Sequence, residues 1–155
     1  MKWTNFSIKT FNSLLSSLWR LWFFIVFLIV FIIFIPPLYY FTKIYKNQKI
    51  VCKITRKWSQ LTLFFSGIFL KINYKEKLNK NETYIICPNH VSTIDIPVIL
   101  AAFKIPVIFM AKQEYAKIPV FGWFYRYNTV LVNRENRKDA YEAFVNASEK
   151  LDLGL

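Results

Sequence analysis

At 155 residues the chain has room for one small domain, part of whose length is not core. Its formal charge of +12 is lopsided: residues 1–75 hold 11 Lys and Arg and no acid, whereas residues 76–155 hold 10 basic and 9 acidic groups. A basic, aromatic half suits nucleic acid or a membrane surface, and the apolar run inside it selects the membrane and excludes nucleic acid.

That run, Leu21 to Phe41, is free of charge. As a helix it would be about 31 Å long, against a hydrocarbon core of about 30 Å. Arg20 and Lys43 bracket it, and Trp19, Trp22, Tyr39 and Tyr40 are placed as interface residues. For a cleaved signal peptide the apolar stretch is too long, and no small-x-small cleavage site follows. Pro36-Pro37 is expected to end the regular helix at Ile35, so a re-entrant or half-buried anchor stands beside a full span. Lys43–Lys57 contains six Lys and Arg, against three before the run (Lys2, Lys9, Arg20), which predicts that the C-terminal part lies inside. Residues 44–61 then read as a basic amphipathic helix. Lys46, Lys49, Lys53, Arg56 and Lys57 fall on one arc, and Ile44, Ile50, Val51, Ile54, Trp58 and Leu61 on the adjoining one. Gly67 is its stop.

Beyond Gly67, Ile68, Leu70, Ile72 and Tyr74 alternate with Phe69, Lys71 and Asn73, the pattern of a strand, and Lys75–Asn81 is a polar turn. A buried strand is expected over Thr83–Cys87, ended by Pro88, with Cys87 as a small buried hydrophobe. Cys52 and Cys87 form no Cys-x-x-Cys, so neither a disulfide framework nor zinc is implied. A helix over Ile94–Phe103 follows, with Ser92 or Thr93 as N-cap, then strands Pro106–Met110 and Thr129–Val132. A last helix starts at Asn136, with Asp139 three residues on, and its inner face is read as Tyr141, Phe144, Ala147 or Ser148, and Leu151. Strands alternating with helices predict an α/β fold: N-terminal membrane-anchoring helices (residues 1–66), then a partial, largely parallel sheet with flanking helices (67–155).

The only histidine, His90, stands five residues before Asp95 in Asn89-His90-Val91-Ser92-Thr93-Ile94-Asp95. Histidine is the natural general base near neutral pH, and a carboxylate on its other ring nitrogen fixes the tautomer. A five-residue step on a straight helix leaves two side chains about 140° apart. The pair can therefore meet only if His90 sits in the turn and Asp95 in the first helical turn. No serine or cysteine stands in a convincing nucleophile context, which favours direct attack by an activated hydroxyl over a covalent intermediate.

Asn89-His90-x-x-x-x-Asp95 resembles the motif of the glycerolipid acyltransferases, the superfamily that contains 1-acyl-glycerol-3-phosphate acyltransferases. Lys112-x-Glu114-Tyr115-x-x-x-Pro119-x-x-Gly122 is similar to the family's Lys-x-Glu-Leu-x-x-x-Pro-x-x-Gly stretch. Asn128-Thr129-Val130-Leu131-Val132-Asn133-Arg134 is similar to its Gly-x-x-Phe-Ile-x-Arg block, with Asn128 in place of glycine as a residue that tolerates a left-handed backbone. The resemblance implies His90 and Asp95 as catalytic residues and Arg134 and Asn89 as substrate-binding residues, Arg134 holding a phosphate. It implies transfer of a fatty acyl group from an acyl carrier protein or coenzyme A thioester to a lysophospholipid in the cytoplasmic membrane, on its cytoplasmic side. No metal and no cofactor beyond the co-substrate is called for. The family's third block, Phe-Pro-Glu-Gly-Thr-Arg, is expected shortly after Leu151, so the resemblance implies an incomplete catalytic domain. The alternative is a non-catalytic membrane-anchored fragment that binds lipid or a partner. Lys112 and Glu114 are assigned no chemistry, Pro119 and Gly122 shape a turn, and Phe121, Trp123, Phe124, Tyr125 and Tyr127 line an acyl-chain groove or pack in the core.

Overall fold

The computed structural model describes residues 2–79, 82–89 and 91–154, with side chains from residue 12 onward. Helix α1 runs from Lys2 to Tyr39 and passes through Pro36 and Pro37 without ending. The expected stop at Ile35 is therefore wrong. Each proline removes one helical hydrogen bond and crowds the carbonyl four residues back. The backbone then widens into a π-helical turn, Tyr40–Ile44, closed by Tyr45 N–H donating to the Tyr40 carbonyl at 2.9 Å. One stretch, Asn12–Ile44, is long and apolar enough to cross a membrane by length and composition.

Helix α2, Gln48–Phe65, starts where the Asn47 side chain accepts the Ile50 N–H at 3.0 Å. It lies four residues downstream of the expected helix, because this Asn cap is stronger than the apolar phase that suggested Ile44. Ile44 is exposed, and the buried face is Val51, Cys52, Thr55, Trp58, Ser59, Thr62 and Leu63. The helix runs antiparallel to α1. The Trp19 and Trp22 indoles donate to the carbonyls of Ser66 (3.2 Å) and Phe65 (3.1 Å), satisfying acceptors left over at the end of α2. Gly67, at φ +77°, turns the chain out of the helix.

Helix α3, Asp95–Ala102, packs on α2 through Pro97, Leu100 and Ala101, and Arg56 Nε donates to the Ala101 carbonyl at 3.4 Å. Strands β1, Met110–Lys112, and β2, Val130–Val132, pair in parallel with Ala111 opposite Leu131. Between them lie a 3-10 turn, Gln113–Lys117, and helix α4, Gly122–Asn128; helix α5, Arg137–Asp152, follows and packs on β2. The fold is thus mostly helical, with a long apolar N-terminal helix and a small parallel sheet flanked by helices, which is the expected α/β arrangement. The core sits between α1, α2, α3 and α4, with Val26, Val30, Phe31, Leu38, Val51, Trp58 and Leu100 at its centre.

Several local expectations fail for identifiable reasons. Residues 68–74 and 83–87 form no ladder among the described residues; alternation gives strand-like chain but supplies no partner. Ile85 is 78% exposed and Cys87 is exposed, so Cys87 is not a buried hydrophobe. The strand expected over Pro106–Met110 begins only at Met110. On α5, Tyr141 and Phe144 are 69% and 65% exposed, and the buried residue is Ala143. A small side chain lets α5 lie close on β2, so alanine rather than the aromatics sets its phase. The Asn136 side chain caps α5 by accepting the Lys138 N–H at 2.9 Å, whereas Asp139 accepts from Asn133 Nδ2 at 3.0 Å.

Candidate active site

Asp95 is the first residue of α3, and its carboxylate folds back over the preceding turn. Oδ2 accepts the backbone N–H groups of Val91 and Ser92, both at 2.9 Å. The Asp95 N–H donates to the Ser92 carbonyl at 3.1 Å, and Ser92 Oγ accepts the Ile94 N–H at 3.3 Å. The cap residue of α3 is therefore Ile94, and neither Ser92 nor Thr93 occupies that position. The polar backbone entering the helix is satisfied by Asp95 and Ser92 instead. His90 lies outside the described residues, and Asn89 before it is exposed.

Beside this turn a cavity of about 280 Å³ opens between α1 and the α3 entry, lined by Trp19, Arg20, Phe23 and Phe24 on one side and Ser92, Thr93 and Ile94 on the other. Arg20 is exposed, with a 3.4 Å contact from its guanidinium to Ser16 Oγ and no carboxylate partner among the described residues. Sequence reasoning took it only as a bracket of the apolar run. Its isolation between Lys9 and Lys43, between two tryptophans, was the available signal.

Arg134 is exposed in the loop after β2 and does not line this cavity. The loop is held by Asn133, whose Oδ1 accepts the Glu135 N–H at 3.1 Å. Asn128 is not left-handed: among the described residues other than glycine, only Lys46 and Val120 have positive φ. Asn128 closes α4 in right-handed backbone, and its buried amide donates to the Phe124 carbonyl (3.1 Å) and accepts from Gln48 Nε2 (3.3 Å). The side chain thus ties α4 to the start of α2, a packing role that glycine could not perform.

Much of the aromatic cluster is packing. Phe121 stacks on Phe31 with centroids 4.2 Å apart, and Trp123 meets Tyr39 edge-on at 5.7 Å. Lys43 Nζ sits 3.5 Å from the Tyr127 ring centroid, and its hydrogen bond and charge hold the Tyr127 hydroxyl below the usual tyrosine range. Cys52 is buried, and burial pushes its thiol up. In the native protein a maleimide should therefore modify Cys87 and spare Cys52 until denaturant is added. Peptide mass mapping reads this directly, and equal modification of both would contradict the packing of α2 on the chain at Val107.

A family profile described as Acyltransferase matches residues 70–154, more than half of the sequence, and the chain belongs to this family. An uncharacterized acyltransferase of Schizosaccharomyces pombe is 30% identical over 82 residues, covering 52% of this chain and 29% of that protein. The chain therefore corresponds to less than a third of that relative's length. No solved structure matches it at a significant level.

Proposed function

We propose that this chain carries the catalytic turn of a membrane-bound 1-acylglycerol-3-phosphate O-acyltransferase, with residues 1–66 as anchor and 67–155 as part of the catalytic domain. The observation that carries the proposal is the Asp95 carboxylate clamped on the Val91–Ser92 backbone, one residue from His90, beside a cavity walled by the apolar helix. Oδ2 holds the turn, and Oδ1 is the atom we assign to the imidazole. His90 takes the proton from the acceptor hydroxyl as its oxygen attacks the thioester carbonyl. The tetrahedral intermediate collapses, the thiolate leaves, and the imidazolium returns the proton to it. No side chain is acylated. Asn89 and Arg134 are assigned to substrate binding, Arg134 to a phosphate outside the cavity, and the donor is an acyl carrier protein or coenzyme A thioester.

The anchor reading is a half-buried helix at the cytoplasmic membrane, with the catalytic side cytoplasmic. Along α1, Phe23, Val26, Val30, Phe31 and Leu38 are buried against protein, while Leu18, Leu21, Ile25, Leu28 and Ile32 form an exposed apolar stripe. Phe121 and Trp123 lie against Phe31 and Tyr39, inside the stretch that a full span would place in hydrocarbon. A helix covered by its own domain on one face suits one leaflet better than two. The exposed Lys46, Lys49, Lys53 and Lys57 add attraction to anionic lipid.

The test is the full-length protein in anionic phospholipid vesicles, given lysophosphatidate and an acyl thioester. Phosphatidate and free thiol should appear in equal amounts. Vesicle binding without turnover for any lysophospholipid would favour a non-catalytic lipid-binding role instead.

A further inference from the structure

Between Lys9 and Lys43 the chain carries a single charged residue, Arg20. A charge set in an apolar helix is costly unless it meets a counter-charge or reaches the interface, and Arg20 meets no carboxylate among the described residues. It opens instead onto the cavity against the α3 entry. Trp19, Phe23, Phe24 and Ile94 give that cavity an apolar lining, and Ser92 and Thr93 bring hydroxyl-bearing residues to its other wall. Apolar surface, a cation and hydroxyls in one cleft match an amphiphile with a single hydrocarbon chain and an anionic head.

We infer that Arg20 is an acceptor-binding residue, whose guanidinium holds the phosphomonoester of the lysophospholipid at the membrane side of the catalytic turn. The inference rests on the acyltransferase reading above. A guanidinium can engage two phosphate oxygens at once, which a lysine cannot match in geometry. Ser92 and Thr93, which share the cavity lining with Arg20, stand between His90 and Asp95 in sequence, so an acceptor held by Arg20 is bound beside the catalytic turn.

Arg20→Gln and Arg20→Lys should be compared with the wild-type full-length protein in vesicles. For Arg20→Gln, the KM for lysophosphatidate should rise about tenfold with kcat changed much less, and its preference over neutral monoacylglycerol should fall by a similar factor. Arg20→Lys should recover part of the loss. Vesicle co-sedimentation should be unchanged, which separates headgroup binding from anchoring. An unchanged acceptor KM would overturn the inference, as would a rise confined to the thioester donor, whose carrier also bears phosphate. A second measurement does not need turnover: lysophosphatidate with a brominated acyl chain should quench indole fluorescence through Trp19 at the cavity wall. That titration should shift about tenfold in Arg20→Gln. If the shift appears but no lysophospholipid is ever acylated, the acyltransferase reading fails while the Arg20 assignment stands. If acylation is robust and neither KM nor quenching moves, the Arg20 assignment alone fails.

Discussion

Asp95→Asn is expected to lower acyl transfer by about 10³–10⁴-fold while leaving the fold intact. The asparagine carbonyl can replace Oδ2 as acceptor for the Val91 and Ser92 N–H groups, so the turn keeps its shape. Its amide nitrogen then occupies the place assigned to the imidazole contact. There it donates where a carboxylate accepts, imposing the wrong histidine tautomer and offering no charge to the imidazolium. Asp95→Ala should differ, because it also removes the acceptor of two backbone N–H groups: the exposed Val91 N–H turns to water, whereas the part-buried Ser92 N–H is left unsatisfied at a cost of about 1 kcal/mol. The comparison isolates the electrostatic contribution: equal inactivity with unequal thermal midpoints. His90→Ala should abolish transfer without moving the midpoint appreciably. Either His90→Ala or Asp95→Asn retaining about a tenth of wild-type turnover would remove the pair from the mechanism.

Features set by neighbouring residues were legible in the sequence, and features set by distant ones were not. The long apolar helix, α3 within one residue at each end, and the Asn136 cap of α5 all follow from local composition and capping. Asp95 was placed in the first helical turn by a spacing argument alone, and it opens α3. Residues 68–74 and 83–87 show the other side: a period of two fixes which way side chains alternate, whereas a ladder needs a partner that no local pattern names. The phase of α5 was legible only in its second half: Ala147, Ser148 and Leu151 are half-buried, but Tyr141 and Phe144 were assumed to point inward, while the buried residue of the helix is the small Ala143. The continuation of α1 through Pro36 and Pro37 carries Leu38 into the core and Tyr39 against Trp123, long-range contacts that propensity does not encode. Within the site, the Asp95 clamp is local and was half visible. The Arg20 wall was not, since it comes from a helix far earlier in the chain.

The second large effect is expected at Gly122, where the Pro119-x-x-Gly122 segment is shaped by close contact rather than by substrate. A Cβ on Gly122 would overlap the Ala116 carbonyl, which also accepts Arg126 Nε at 3.2 Å. The Gly122 N–H donates to the Ile118 carbonyl at 2.7 Å, and the Phe121 N–H to the Pro119 carbonyl at 2.7 Å, around Val120 at φ +66°. This is a γ-turn of the rare positive-φ kind, centred on a β-branched residue. Gly122→Ala must push α4 off the 3-10 turn and carry Phe121 away from Phe31, loosening the domain from α1. The expected loss is about 2–4 kcal/mol, the range for a steric insertion that a packed backbone cannot absorb. Val120→Gly should act oppositely, because glycine adopts positive φ without strain, and Val120 is exposed enough that little packing is lost. Thermal unfolding of the two variants in one detergent would show a lowered midpoint for Gly122→Ala and an unchanged or raised one for Val120→Gly. A wild-type midpoint in Gly122→Ala would mean that α4 and the 3-10 turn stand further apart than described, and that Gly122 is not required by this contact.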